Sequence, residues 1–261
     1  MSMQFDLSGR RILVVGASSG VGLETGRIAS AAGARVAFAA RREDRVREAA
    51  AAAPGEAIGL RCDVCDADAC RGAIEAALEA FGGLDALVYA TGMAPLTLLT
   101  DATQEQWRNV FDTNVIGASL VTAAALPALQ ASHGRAVYIS SYSVRQPLPA
   151  LGLYRVSKVA LDGLIESWRI EHPDVDFTRA ILGNTMDTEF AQNWSEEETA
   201  EAARVWVERN LFPAANLMPV RAAAEALVAV LATEGYVDDI AIMPRTRDGS
   251  PFAEHESLKT G

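Results

Sequence analysis

The sequence predicts an α/β chain built on one doubly wound parallel sheet of about seven strands, in a single domain. Three observations predict it. Seven short apolar runs alternate with longer stretches of helical periodicity, the pattern that covers both faces of a parallel sheet with helices. A glycine-rich turn stands between the first apolar run and the first helix. The 261 residues are 50% hydrophobic and 22% charged, and a chain of this size buries about 70% of its unfolded surface without disulfides or a metal. The same figures exclude a disordered chain, a disulfide-rich miniprotein and a collagen-like fibre.

The elements follow in order. Arg11-Val15 reads as the first strand, with a helix from the glycine turn to about Ala32. Val36-Ala39 precedes a charged helix from Glu43 to Ala53, and Ile58-Cys62 precedes a helix over Ala67-Phe81. Leu84-Tyr89 is followed by one long helix, Gln104 to Gln130, and Ala136-Ser140 by a helix from about Leu153 to Glu171. Val175-Leu182 is the sixth strand and Ile240-Met243 the seventh. Asp66 and Thr103 suit N-caps, Ser195 with Glu198 forms a capping box before Thr199-Asn210, and Pro219 opens the helix Val220-Leu231. Gly33 and Gly82-Gly83 stand where helices stop. No linker divides residues 1–261. Residues 190–217 read as a covering lid and 244–261 as a polar tail.

Thirty-four acids against 23 bases give a net charge of −11. Such a surface repels a phosphate backbone, so nucleic acid and anionic membranes are not expected partners. The first nine residues lack the apolar core of an export signal, and no apolar run reaches the roughly 18 residues of a membrane span. Cys62, Cys65 and Cys70 are an odd number of thiols, which suits a reducing, cytoplasmic setting. Cys62 and Cys65 have C-x-x-C spacing without a second pair or a nearby histidine, so small packed side chains are expected there rather than a metal site.

Gly16-Ala-Ser-Ser-Gly20-Val-Gly22 has strand before it and helix after it, the context a pyrophosphate needs: glycine for the tight turn and close backbone approach, then the unpaired N–H groups of a helix start. With it the chain begins to resemble the short-chain dehydrogenases/reductases, a Rossmann-type family whose first turn reads T-G-x-x-x-G-x-G. Val15 stands where that family usually has Thr. The second strand ends in Ala40-Arg41-Arg42, without the acid that would hold the ribose hydroxyls of NAD(H). Arg41 suits the 2′-phosphate of NADP(H), with Ser18 as a further hydrogen-bond donor, so NADP(H) is expected over NAD(H). The plainer alternative, that Arg41 and Arg42 only solvate a helix start, sits poorly with the helix dipole. Asp63-Val64 either contacts the adenine, as the resemblance implies, or caps the following turn.

Tyr154-Arg-Val-Ser-Lys158 places a phenol and an ammonium one helical turn apart, where a cation favours tyrosinate. Alone this is a common surface pair. Ser141 lies thirteen residues before Tyr154, at the end of the fifth strand, and Asn114 sits inside the long helix, where Asn is disfavoured. The order and spacing of all these motifs resemble the same family over about Leu7 to Thr188. The resemblance implies Tyr154 as general acid–base, Lys158 as ribose ligand and pKa modulator, Ser141 as substrate-oxygen ligand and Asn114 as holder of a relay water. It implies cofactor contacts at Gly16, Ser18, Ser19, Gly20, Val21, Gly22, Arg41, Arg42, Asp63, Val64, Ala90, Gly92, Tyr154, Lys158 and Thr188. Ser140 competes with Ser141 for the serine role.

The chain departs from the family pattern in places. Tyr89-Ala90-Thr91-Gly92 replaces Asn-Asn-Ala-Gly, Gly183-Asn184 replaces Pro-Gly, Arg155 is bulky, and no glycine-rich ending follows Met243. The lid stretch contains Phe190, Trp194, Val205, Trp206, Leu211 and Phe212. Either Trp206 with Phe190, Trp194 or Met93-Leu96 lines an apolar pocket, or Val205, Trp206 and Leu211 are the buried face of an amphipathic lid helix. The implied activity is hydride transfer between NADP(H) and a carbonyl/alcohol pair of a small to medium, largely apolar substrate, in a homo-oligomer, tetramer or dimer. A non-catalytic NADP(H) sensor on the same scaffold is the rival. The chain is short for the second domain that isomerisation of a nucleotide-sugar would need.

Overall fold

The computed structural model describes residues 5–186, 188–191, 194–209, 211 and 217–245. Phe212 and most of the expected tail lie outside these residues. Seven strands form one sheet, every pair parallel, in the order β3-β2-β1-β4-β5-β6-β7. They are β1 Arg11–Val15, β2 Arg35–Ala40, β3 Ala57–Arg61, β4 Ala86–Tyr89, β5 Arg135–Ser141, β6 Asp176–Leu182 and β7 Asp239–Ile242.

Alternation along each strand builds two cores. Leu13, Val15, Leu87, Tyr89, Tyr138 and Phe177 point to one face, where they pack with α3 (Ala67–Phe81), α5 (Gly117–Ser132) and α6 (Gly152–Glu171). Ile12, Val14, Val36, Phe38, Val88 and Val137 point to the other, against α1 (Gly20–Ala31), α2 (Glu43–Ala51) and α8 (Val220–Ala232). Strands buried on both faces are apolar throughout, which is why the runs were continuous in sequence. Gly26 is needed where α1 crosses β2: a Cβ there would meet the Phe38 ring at 2.3 Å.

The helix stops and starts agree with the sequence. Asp66 accepts from Asp68 N and Ala69 N. Thr103 with Gln106 and Ser195 with Glu198 form capping boxes, the second opening α7 (Glu196–Glu208). Gly82 ends α3 in the left-handed region at φ 74°.

The expected long helix is interrupted. α4 (Gln104–Phe111) passes through a π-turn, Asp112–Ile116, before α5 begins. The inserted residue shifts Asn114 inward, where it is fully buried. The whole run, Gln104–Ser132, is long and apolar enough to cross a membrane by length and composition, contrary to the sequence expectation. Here Val121, Ala125 and Leu129 belong to the core beside the sheet.

Parallel strands send every following loop to one edge. The strand order reverses between β1 and β4, which opens a crevice at their carboxyl ends. The glycine turn after β1, Gly92 after β4, Ser141 at the end of β5 and the start of α6 all lie along that edge.

Candidate active site

Close packing of the chain on itself requires glycine in the turn after β1. Gly16 adopts φ +89°, and a Cβ on it would lie 2.7 Å from Ala90 C, Thr91 N and Thr91 Oγ1. A Cβ on Gly22 would lie 2.5 Å from the Gly16 carbonyl oxygen. Ser19, extended before α1, makes no side-chain cap hydrogen bond, so the first N–H groups of that helix remain available to an anion. Thr188 packs over the turn, 3.5 Å from where a Gly20 Cβ would be.

At the end of β2 the structure selects between the two arginines. Arg41 is exposed. Arg42 precedes α2 with φ −82° and ψ 85°, which turns its guanidinium back to the glycine turn. It donates from Nη2 to Ser18 Oγ at 2.7 Å and to Ser19 Oγ at 3.1 Å. Arg42, rather than Arg41, is the arginine that reaches Ser18 and Ser19. Asp63 accepts from Cys65 N at 3.1 Å, a local turn contact, while Val64 is buried beside Gly117. Cys62 and Cys70 are buried in the core, and no metal-binding cluster occurs among the described residues.

Tyr154 and Lys158 are buried on the inner side of α6. The Lys158 Nζ donates to the Ile139 carbonyl at 2.7 Å and lies 5.8 Å from the Tyr154 ring centroid. Burial lowers the Lys158 pKa to about 8, against which the Asp162 carboxylate one turn on holds it up. Burial raises the Tyr154 phenol to about 12, against the pull of the Ser141 hydroxyl beside it. The lowering of the phenol expected from its lysine neighbour is not seen: desolvation dominates, and Ser141 is the group that opposes it. Ser140 does not compete for the phenol: its Oγ donates to Asp162 Oδ1 at 2.6 Å.

Asn114 acts as a fixed joint. Its Oδ1 accepts from Met93 N at 2.8 Å, and its Nδ2 donates to Met93 O at 2.9 Å and to Ser157 Oγ at 2.8 Å. Ser157 in turn donates to the Tyr154 carbonyl at 2.7 Å. The loop after β4 is thereby tied to the helix that carries the phenol. Tyr89, where the resemblance expects Asn, is fully buried and donates to the Thr113 carbonyl of the π-turn at 2.6 Å. This phenol thereby braces the π-turn from β4.

Over the phenol lies an apolar cluster. Ala94, Leu151, Ala202 and Trp206 are buried with Tyr154, and Leu96, Leu148 and Trp194 pack on them. Trp194 Nε1 donates to the Ala94 carbonyl at 2.6 Å and Trp206 Nε1 to the Pro149 carbonyl at 2.8 Å. Phe190 meets the Tyr154 ring edge-on at 5.2 Å. α7 buries Ala202 and Trp206, and it does so against the phenol, as the buried-face alternative expects of Trp206.

A parallel sheet with its glycine turn, phenol and ammonium on one edge defines a dinucleotide-binding oxidoreductase scaffold. Comparison with known proteins agrees. The short chain dehydrogenase family matches residues 10–199, and the chain belongs to that family. It is 34% identical over 184 residues to 11-beta-hydroxysteroid dehydrogenase-like 2 of Arabidopsis thaliana, covering 68% of this chain and 60% of that one. It is 32% identical over 191 residues to the human dehydrogenase/reductase SDR family member 2, mitochondrial, covering 71% and 68%. Among solved structures, a short-chain type dehydrogenase/reductase from Mycobacterium marinum superposes with TM-score 0.79 at 28% identity, over 92% of this chain and 96% of that one. An alcohol dehydrogenase from Thermococcus sibiricus shares the fold with TM-score 0.76 at 23% identity, over 90% and 96%.

Sequence reading missed Ser157, Asp162, Arg45 and Glu189. Ser157 lies three residues after Tyr154 and Asp162 four after Lys158, helical spacings that could have found them. Glu189 reaches Arg42 and Arg45 across about 145 residues of sequence, which no local pattern announces.

Proposed function

We propose that this chain transfers a hydride between NADP(H) and the carbonyl/alcohol pair of a small to medium, largely apolar substrate, with Tyr154 as the general acid–base. The observation that carries the reading is the convergence of Ser141, Tyr154, Lys158 and the Asn114 joint beside a turn that only glycine fits. The residues present suit a dinucleotide. The Gly16–Gly22 cradle and the start of α1 would hold its diphosphate, Arg42 with Ser18 and Ser19 its 2′-phosphate, and Lys158 its nicotinamide ribose. When bound, the cofactor supplies or accepts the hydride.

The protein's own part is positioning and proton movement. At neutral pH the buried phenol is protonated, the state needed to donate to a carbonyl oxygen during reduction. The Ser141 hydroxyl would donate a second hydrogen bond to that oxygen as charge develops. The Lys158 ammonium carries three N–H groups, and its bond to Ile139 O leaves two for a ligand. The cluster of Ala94, Leu96, Leu148, Leu151, Trp194 and Trp206 supports an apolar substrate covered by residues 190–217 as a lid. Exposed Ile116, Val156 and Val159, on adjoining helical segments, support a homo-oligomer.

The test is NADPH and NADH oxidation across ketones, aldehydes and quinones, with both cofactors titrated against wild type and Arg42→Ala. Turnover with NADPH, weakened mainly for NADPH by Arg42→Ala, is the expected result. Tight NADPH binding with no turnover on any substrate would favour the sensor reading. Tighter binding of NADH by wild type would overturn the cofactor assignment.

A further inference from the structure

Three residues after β6 lie on both halves of the site. Thr188 covers Gly20 of the phosphate turn. The next residue, Glu189, accepts from Arg45 Nη1 through Oε1 at 2.5 Å, and its Oε2 lies 2.6 Å from Arg42 Nη2 in a close ion pair without hydrogen-bond alignment. Phe190 then places its ring edge-on to Tyr154 at 5.2 Å and Trp194 edge-on to Phe190 at 5.4 Å. The segment thus presents an anion to the guanidinium beside Ser18 and Ser19, and an aromatic ring to the phenol.

The carboxylate stands at a guanidinium that a ligand needs, and the ring packs against the side of the phenol. Arg42 is the group that the proposed function assigns to the 2′-phosphate, and here one carboxylate already pairs with it and with Arg45, cutting their combined charge from two to one. A phosphate carrying nearly two negative charges cannot share these two guanidinium groups with a carboxylate without repulsion. A substrate oxygen must come within hydrogen-bond distance of the phenol, on which Phe190 now rests. Glu189 and Phe190 share one stretch of backbone, so a backbone shift that withdraws the carboxylate also moves the ring.

We propose that Glu189 is an internal competitor for the cofactor's 2′-phosphate, and that its displacement carries Phe190 off Tyr154. Glu189 then sets cofactor affinity, Arg45 becomes a second cation for the phosphate, and the order of binding is cofactor before substrate. The proposal rests on the NADP(H) reading above. It predicts that the charge of Glu189, not its bulk, opposes the phosphate.

Calorimetric titration of the full chain with 2′,5′-ADP and with 5′-AMP tests it, using wild type, Glu189→Gln and Arg42→Ala. Glu189→Gln keeps the size and polarity of the side chain. It should bind 2′,5′-ADP about five- to tenfold more tightly, as expected for loss of two partly exposed ion pairs, with 5′-AMP unchanged. Unchanged or weaker 2′,5′-ADP binding would overturn the proposal, because Glu189 would then be orienting the arginines for the phosphate. Equal tightening for 5′-AMP would overturn it too, since the effect would not involve the 2′-phosphate. If wild type does not prefer 2′,5′-ADP to 5′-AMP and Arg42→Ala changes nothing, the NADP(H) reading has failed and the proposal falls with it. Tryptophan emission follows the second half. 2′,5′-ADP, but not 5′-AMP, should change a signal that Trp194→Phe abolishes, and no change would overturn the coupling to Phe190.

Discussion

Asn114→Ala should damage the fold before it damages any chemistry, by an amount the geometry fixes. Asn114 is fully buried and makes three hydrogen bonds, two to Met93 and one to Ser157. Ser157 keeps its own bond to the Tyr154 carbonyl and so loses only a donor to its oxygen. Met93 loses partners for both its N–H and its carbonyl. Two orphaned backbone groups at about 1–3 kcal/mol each, partly relieved by water at this half-buried position, give a loss of about 3–4 kcal/mol. For a chain of this size that lowers the melting temperature by about 6–15 °C. Urea unfolding followed by circular dichroism, with a thermal melt beside it, measures both. Asn114→Asp sharpens the test. It keeps the shape, loses the amide donors and buries a carboxyl whose folded pKa must rise above its unfolded value. Such a group destabilises the fold above the ordinary carboxylate range and less below it, so the Asp deficit should shrink as pH falls toward 4. A loss below about 1 kcal/mol for Asn114→Ala would refute the claim that this residue ties the β4 loop to α6.

Three further predictions follow from the site. Gly16→Ala forces a Cβ to 2.7 Å from three atoms at positive φ, so it should cost about 2–4 kcal/mol and weaken dinucleotide binding; an unchanged melting temperature would contradict the close approach. Carbonyl reduction needs a protonated Lys158 and a protonated Tyr154, with pKa values near 8 and 12, so kcat/KM should hold steady below neutrality and fall as pH rises through 8; a profile flat to pH 10 would contradict the lysine assignment. Asp162→Asn removes the carboxylate that holds up the Lys158 pKa while leaving an oxygen for Ser140. Its reduction profile should therefore break at a lower pH than wild type, by about half a unit to one unit; a break at the same pH would show that Asp162 only braces the strand.

Much of the scaffold was legible in the sequence because its signals are local. Strands buried on both faces must be apolar throughout, so Arg11-Val15 and Ala136-Ser140 announce themselves. Caps such as Asp66 and the Ser195/Glu198 box are set by hydrogen bonds within one turn. The π-turn at Asp112–Ile116 was not legible, because its support comes from Tyr89 on a distant strand. That Arg42 rather than Arg41 reaches Ser18 and Ser19 is a contact between separate segments, which composition does not report. Tyr154 and Lys158 were recognised by spacing, but their pKa directions depend on burial that only the folded chain supplies. The contacts of Glu189 join segments far apart in the chain and could be seen only in three dimensions.

The central claim is that Tyr154 passes a proton to a carbonyl oxygen beside a bound dinucleotide. The most direct measurement mixes the protein with NADPH deuterated at C4 and a carbonyl substrate in a single turnover, and follows the deuterium into the product alcohol by mass spectrometry. Wild type should place the label on the carbinol carbon. Tyr154→Phe should bind NADPH as wild type does yet transfer the label at least about a hundredfold more slowly. Transfer by Tyr154→Phe within a few-fold of wild type, at equal cofactor occupancy, would contradict the account.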